Sequence, residues 1–202
     1  MCCGWRAKEV GPTIDLAIAI GADAVLLNRV NLARNTIGRA RELVPEAALL
    51  GEALGQAEDR AARHGVAVSV SVPVPPCVVD PRPYRHLHFG FCPRGGPESY
   101  YTVGWNGRVR PCNHSSVILG DLGRSGFAEI VSGRKAREFW RLVPPQCSQC
   151  EHPWKDRCRG GCPAAADECT GRRDRMDPFV PLALGQDRRA AGASRQEVDD
   201  PL

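Results

Sequence analysis

No apolar run in the sequence approaches the roughly 20 residues needed to span a bilayer, which excludes a transmembrane helix. The first ten residues, MCCGWRAKEV, lack the basic, then apolar, then small-residue order of a signal peptide, so a cytoplasmic location is expected. Concentrated positive charge is also missing. Lys and Arg number 27 against 23 acidic residues, and a net charge of +4 over 202 residues supplies no basic face to neutralise a phosphate backbone. Neither nucleic acid nor membrane is therefore expected as a partner. What the chain does have is 43% hydrophobic residues, enough for a core in one ordinary domain or two small ones, and ten cysteines. In a reducing compartment, closely spaced cysteines serve as metal ligands or catalytic thiols, because disulfides do not persist there.

Three zones follow along the chain. In the first, PTIDLAIAI carries a helical apolar stripe and GADAVLLNRV is a short apolar run suited to a buried strand. PEAALLGEALGQAEDRAARHG is a long Ala/Leu/Glu helix closed by Gly65, and VAVSVSVPVPP is a second strand stopped by prolines. This helix and strand alternation is the rhythm of a parallel sheet. Two strands cannot bury both faces of such a sheet, so further strands are expected from a partner or from a longer chain. The second zone is rich in cysteine, glycine and proline. There ESYYTVGWNGRVRPCNH reads as a β-hairpin about a two-residue Asn106-Gly107 turn, returning Cys112 towards Cys92. SGFAEIVSGRKAREFWRLV follows as one or two amphipathic helices with Ser125 as N-cap. From Gly171 onward six arginines are matched by six acidic residues, and this tail is expected to be disordered.

The chemistry lies in the cysteines. Thiolates are soft ligands suited to zinc or iron-sulfur clusters, both of which take four. Cys92, Cys112, Cys147, Cys150, Cys158, Cys162 and Cys169 make seven, and Cys77 makes eight, or two sites of four. Cys2 and Cys3 are read as incidental. The order Cys92-x14-Gly107-x4-Cys112, then Cys147-x2-Cys150-x7-Cys158-x3-Cys162, then Cys169, resembles the seven-cysteine SPASM domain at the C-terminus of many radical S-adenosylmethionine (SAM) enzymes. GRVRPC, ILGDL, FAEIV and CRGGCPA resemble successive parts of that domain. The departure is a spacing of seven where five is usual. Upstream, GADAVLLNRV, IGRA and the strand leading to Pro75 resemble the last βα units of the same enzymes' partial barrel.

The resemblance implies an α/β fold: C-terminal βα units of a partial TIM-like barrel over residues 1–76, and a cysteine-rich SPASM domain with a β-hairpin and helices over 77–170. The tail then occupies 171–202. It implies two [4Fe-4S] clusters, one on Cys92, Cys112, Cys162 and Cys77 and the other on Cys147, Cys150, Cys158 and Cys169. Cys77 lies farther from Cys92 than the family's upstream ligand; without it the first cluster keeps an open iron. The C-x3-C-x2-C motif that binds the SAM-cleaving cluster is not in this sequence. SAM and a third [4Fe-4S] cluster are accordingly expected only in an intact parent enzyme, whose N-terminal radical SAM half lies in the parent chain or in a separate one. Alone, these residues are not expected to be catalytic. The substrate class implied is a peptide or protein.

Other residues carry competing readings. Asn28 and Arg29, at the end of the strand AVLLN, could face SAM or substrate in the intact enzyme, or form a surface salt bridge or a turn. His86, His88, His114 and His152 are read as hydrogen-bond donors to cluster sulfur or as packing groups rather than ligands. Lys155, Arg157 and Arg159 would stabilise thiolate charge, or be solvated. Trp105, Trp140 and Trp154 are read as packing residues. The alternative to clusters is a zinc-binding interaction module, which would take Cys147, Cys150, Cys158 and Cys162 together.

Overall fold

The computed structural model describes residues 7–186, so Cys2 and Cys3 and the end of the tail lie outside the described residues. Helix α1 (Val10–Ala19) buries Val10 and Ile14 one turn apart. Strand β1 (Ala24–Leu27) follows, then the single turn α2 (Ala40–Leu43) and the long α3 (Ala47–His64). On α3, Leu50, Ala53, Leu54, Ala57 and Ala61 recur at helical spacing and are all buried, and Gly65 closes the helix in the left-handed conformation at φ 65°.

Strand β2 (Ala67–Val70) pairs with β1 in parallel, Ala24 opposite Ala67, so β1, the helices and β2 form a βαβ unit. A third parallel strand, β3 (Leu87–Phe89), completes the order β1-β2-β3. It was not expected from the sequence, and it carries the parallel sheet past residue 77. The arrangement is α/β, with an open sheet in place of a closed barrel. Because β1 is an edge, its side chains alternate between exposed and half-buried, and Leu26 is 59% exposed, unlike the buried strand expected there.

The cysteine-rich half is built on a small antiparallel sheet, β4 (Thr102–Val103), β5 (Arg108–Arg110) and β6 (Gly120–Asp121). The expected hairpin is present with a different turn. Val103 pairs with Val109, the Gly104 N–H donates to the Arg108 carbonyl, and three residues make the loop, Gly107 taking φ 77°. Two helices follow, α4 (Phe127–Ser132) and α5 (Arg134–Arg141), with Gly126 rather than Ser125 in the N-cap position of α4. The single turns α6 (Pro145–Ser148) and α7 (Lys155–Cys158) carry the late cysteines into α8 (Pro163–Thr170).

The expectation of disorder from Gly171 fails over the residues described. Helix α9 (Phe179–Ala183) inserts Phe179, Val180 and Ala183 into the core formed by α1, α3 and the parallel sheet. A separate, smaller core gathers Val109, Leu119, Ile130, Ala136, Phe139, Trp140 and Ala164, with Cys92, Cys112 and Cys162 packed on it.

Candidate metal centre

The eight described cysteines are free thiols. The fold sorts most of them into two recesses. Cys77, Cys147, Cys150 and Cys158 line one, together with His152, Lys155 and Met176. Cys92, Cys112 and Cys162 line the other, a cavity of about 290 Å³ that also takes Asn31, Ser71, His88, His114 and Trp140. Ser71 and Gly90 follow the last residues of β2 and β3, so this cavity lies at the carboxyl ends of parallel strands, where α/β sheets place their ligands.

The segment CRGGC is what separates Cys158 from Cys162. Arg159, Gly160 and Gly161 have φ of 48°, 91° and 84°, three successive left-handed residues that turn the chain sharply between the two sulfurs. A Cβ on Gly160 would stand 2.5 Å from Pro144, and one on Gly161 2.6 Å from Asp177. Cys162 then occupies the N-cap of α8, its sulfur accepting from the Ala165 N–H at 3.4 Å and from Asn31 Nδ2 at 3.6 Å. A helix N-terminus of this kind favours a thiolate.

Backbone N–H groups are directed at the other sulfurs: Arg94 at Cys92, His114 and Ser115 at Cys112, Gly160 and Gly161 at Cys158. Burial works against them and wins. The Cys92, Cys112, Cys147 and Cys158 thiols are raised, chiefly by desolvation, and Cys77 and Cys162 are pushed up to about 11. These are thiols that a metal would have to deprotonate on binding, and four of them, Cys92, Cys112, Cys158 and Cys162, are already supplied with donors to sulfur.

Arg94, which the sequence reading did not single out, straps the two halves of the site together. Its guanidinium donates to the carbonyls of Leu142, Arg159 and Gly161, and its charge faces Cys92, Cys158 and Cys162. Among the described residues, four buried side-chain atoms have no hydrogen-bond partner: Arg94 Nε, Trp140 Nε1, Asn31 Oδ1 and His152 Nε2. All belong to the lining of the recesses or to the strap between them. Arg94 Nε and Trp140 Nε1 are donors, and unpaired buried donors at a site rich in thiols fit an anionic, sulfur-bearing group; Asn31 Oδ1 can only accept, and His152 Nε2 lies 3.5 Å from Asp80 Oδ1.

Asn28 and Arg29 serve the frame. Asn28 Oδ1 accepts from the Val72 N–H at 3.2 Å. Arg29 is 2% exposed, donates to the Pro73 and Val30 carbonyls, lies 4.2 Å over the Phe179 ring and forms a buried ion pair with Asp177. The salt bridge expected at the surface is therefore internal. Asp177 also accepts from the Cys162 and Phe179 N–H groups, tying β1, the CRGGC turn and α9 into one knot.

His86 pairs with Glu58 at 2.7 Å and lines neither recess. Arg157 stacks over Phe91 and Trp154, while the Arg159 guanidinium donates to Trp140 and Arg141 carbonyls. Trp140 and Trp154 pack as expected. Trp105, at the hairpin tip, is 99% exposed and packs against nothing.

Cys169 lines neither recess. It lies against the larger core, and burial, followed by the Asp177 and Glu168 carboxylates and the Cys162 sulfur, pushes it up to about 12.

Residues 92–162 match the family model of SPASM, an iron-sulfur cluster-binding domain. No curated protein and no solved structure matches the chain. No described helix is long and apolar enough to cross a membrane.

Proposed function

We propose that this chain carries the auxiliary iron-sulfur clusters of a radical SAM enzyme, at two sites centred on Cys92, Cys112 and Cys162 and on Cys147, Cys150 and Cys158. The observation that carries this reading is the separation of Cys158 from Cys162 into different recesses by the CRGGC turn. A mononuclear zinc site would need Cys162 beside Cys147, Cys150 and Cys158. Among the described residues, no three Cys, His, Asp or Glu side chains are grouped to hold a single ion. A cubane, each iron carrying its own thiolate, takes its sulfurs from a wider ring. When bound, such clusters accept or relay electrons.

The chain's own groups set up that chemistry. The N-cap of α8 and the sulfur-directed amides favour thiolates, Arg94 offsets their charge, and the Arg29–Asp177 knot holds Cys162 in place. The first recess is narrow, about 30 Å³, so loading there opens the loops of Cys147 to Cys158 and couples binding to local folding.

In this proposal the substrate, a peptide or protein segment, comes up to the larger cavity at the strand ends, beside the cluster held by Cys92, Cys112 and Cys162. The radical SAM half with its C-x3-C-x2-C motif belongs in this proposal to preceding strands, in the parent chain or a separate one. The edge of β1, unpaired among the described residues, and the exposed Leu16, Ile20 and Leu26 support their packing there.

Anaerobic reconstitution with iron and sulfide tests the reading. A brown protein with about eight irons per chain, the content of two cubanes, is expected. A colourless protein holding one or two zinc ions and no iron would end it.

A further inference from the structure

Cys77 does not stand where the family pattern would put it. It follows Pro75 and Pro76 in a tight turn, the Val78 N–H donating to the Pro75 carbonyl at 2.8 Å. That turn places Cys77 in the lining of the recess of Cys147, Cys150 and Cys158, and the residue itself is exposed. Cys92, Cys112 and Cys162 share a different cavity, which Cys77 does not line.

Cys169, the residue that the family pattern would place with Cys147, Cys150 and Cys158, is held elsewhere. It sits in the last turn of α8, which Gly171 closes at φ 67°, with its N–H donating to the Asp167 carbonyl at 2.7 Å. To reach the recess it would have to unwind that turn and leave the larger core.

We propose that Cys77, and not Cys169, is the fourth thiolate of the site formed by Cys147, Cys150 and Cys158, leaving Cys92, Cys112 and Cys162 as a three-thiolate site. This rests on the cluster reading above. It makes the loop after β2 a ligand-bearing arm, so that the parallel sheet and the late cysteine loop are joined through one cluster. The fourth position of the other site then falls to a group other than Cys77, on the side of the larger cavity.

The full chain reconstituted without oxygen, wild type and four single variants, decides the matter through iron content and the EPR spectrum of the dithionite-reduced protein. Cys150→Ala and Cys112→Ala identify which signal belongs to which site. Cys77→Ala is expected to abolish or alter the signal that Cys150→Ala removes, and Cys169→Ala to leave both signals and the iron content unchanged. Far-UV circular dichroism of the metal-free variants confirms that each is folded. The proposal is overturned if Cys169→Ala alters the Cys150-dependent signal, or if Cys77→Ala alters the Cys112-dependent one. A wild-type chain that takes up no iron overturns the cluster reading itself, and this assignment with it.

Discussion

The two halves of the molecule hold themselves together by different means. The α1–α3 and parallel-sheet half buries a broad set of aliphatic side chains, from Ile14 and Leu32 through Leu54 to Val68 and Val70. The cysteine-rich half has a small core around Phe139 and Trp140, strands of two or three residues and several helices of a single turn. A segment so poor in buried apolar area needs cross-links, and here the candidates are metal-thiolate bonds. Folding in the first half is a matter of burial; in the second, on the proposed cluster reading, it is tied to loading. The Arg29–Asp177 knot is where the two meet, with Phe179 from the larger core on one side and Cys162 on the other.

Breaking that knot has the largest expected effect. Arg29→Met leaves Asp177 as a buried, unpaired carboxylate, a loss on the order of 3–5 kcal/mol. Urea unfolding of the metal-free protein measures it, and iron retention should fall most at the Cys162 site. A loss under 1 kcal/mol would mean that the junction is peripheral to both halves.

A smaller effect sharpens the line between them at Cys169. Its folded-state thiol lies near 12, against about 8.5 in an unfolded chain. The folded state therefore holds the proton more tightly, so the contribution is whole below about pH 8.5 and is lost as pH rises towards 12. In the metal-free protein, Cys169→Ala should flatten the fall of the urea midpoint between pH 8 and pH 10. An unchanged slope would remove Cys169 from its packing against the larger core.

Local signals made much of this architecture readable. The apolar spacing of α3 with the glycine at its end, the Asn106-Gly107 hairpin, and the helical character of SGFAEIVSGRKAREFWRLV are all near-neighbour effects, whereas the sequence leaves the break at Gly133 open. The cysteine order pointed to the SPASM match over residues 92–162. What escaped was long-range or too short to show a period. Strand β3 is three residues interrupted by a histidine, and α9 contains a proline. Arg29 and Asp177 are 148 positions apart, and nothing near either announces the other. Arg94 sits in a Pro-Arg-Gly-Gly loop whose sequence reads only as a turn. Which recess Cys77 faces depends on how two loops meet, and spacing along the chain carries no such information.

The central claim is that the cysteines form two separate cluster sites, and iron counted per chain in single and double variants tests it most directly. About eight irons in the reconstituted wild type should fall to about four in Cys112→Ala, to about four in Cys150→Ala, and to nearly none in the double variant. Loss of all iron in either single variant, or no loss in one of them, would contradict two independent sites.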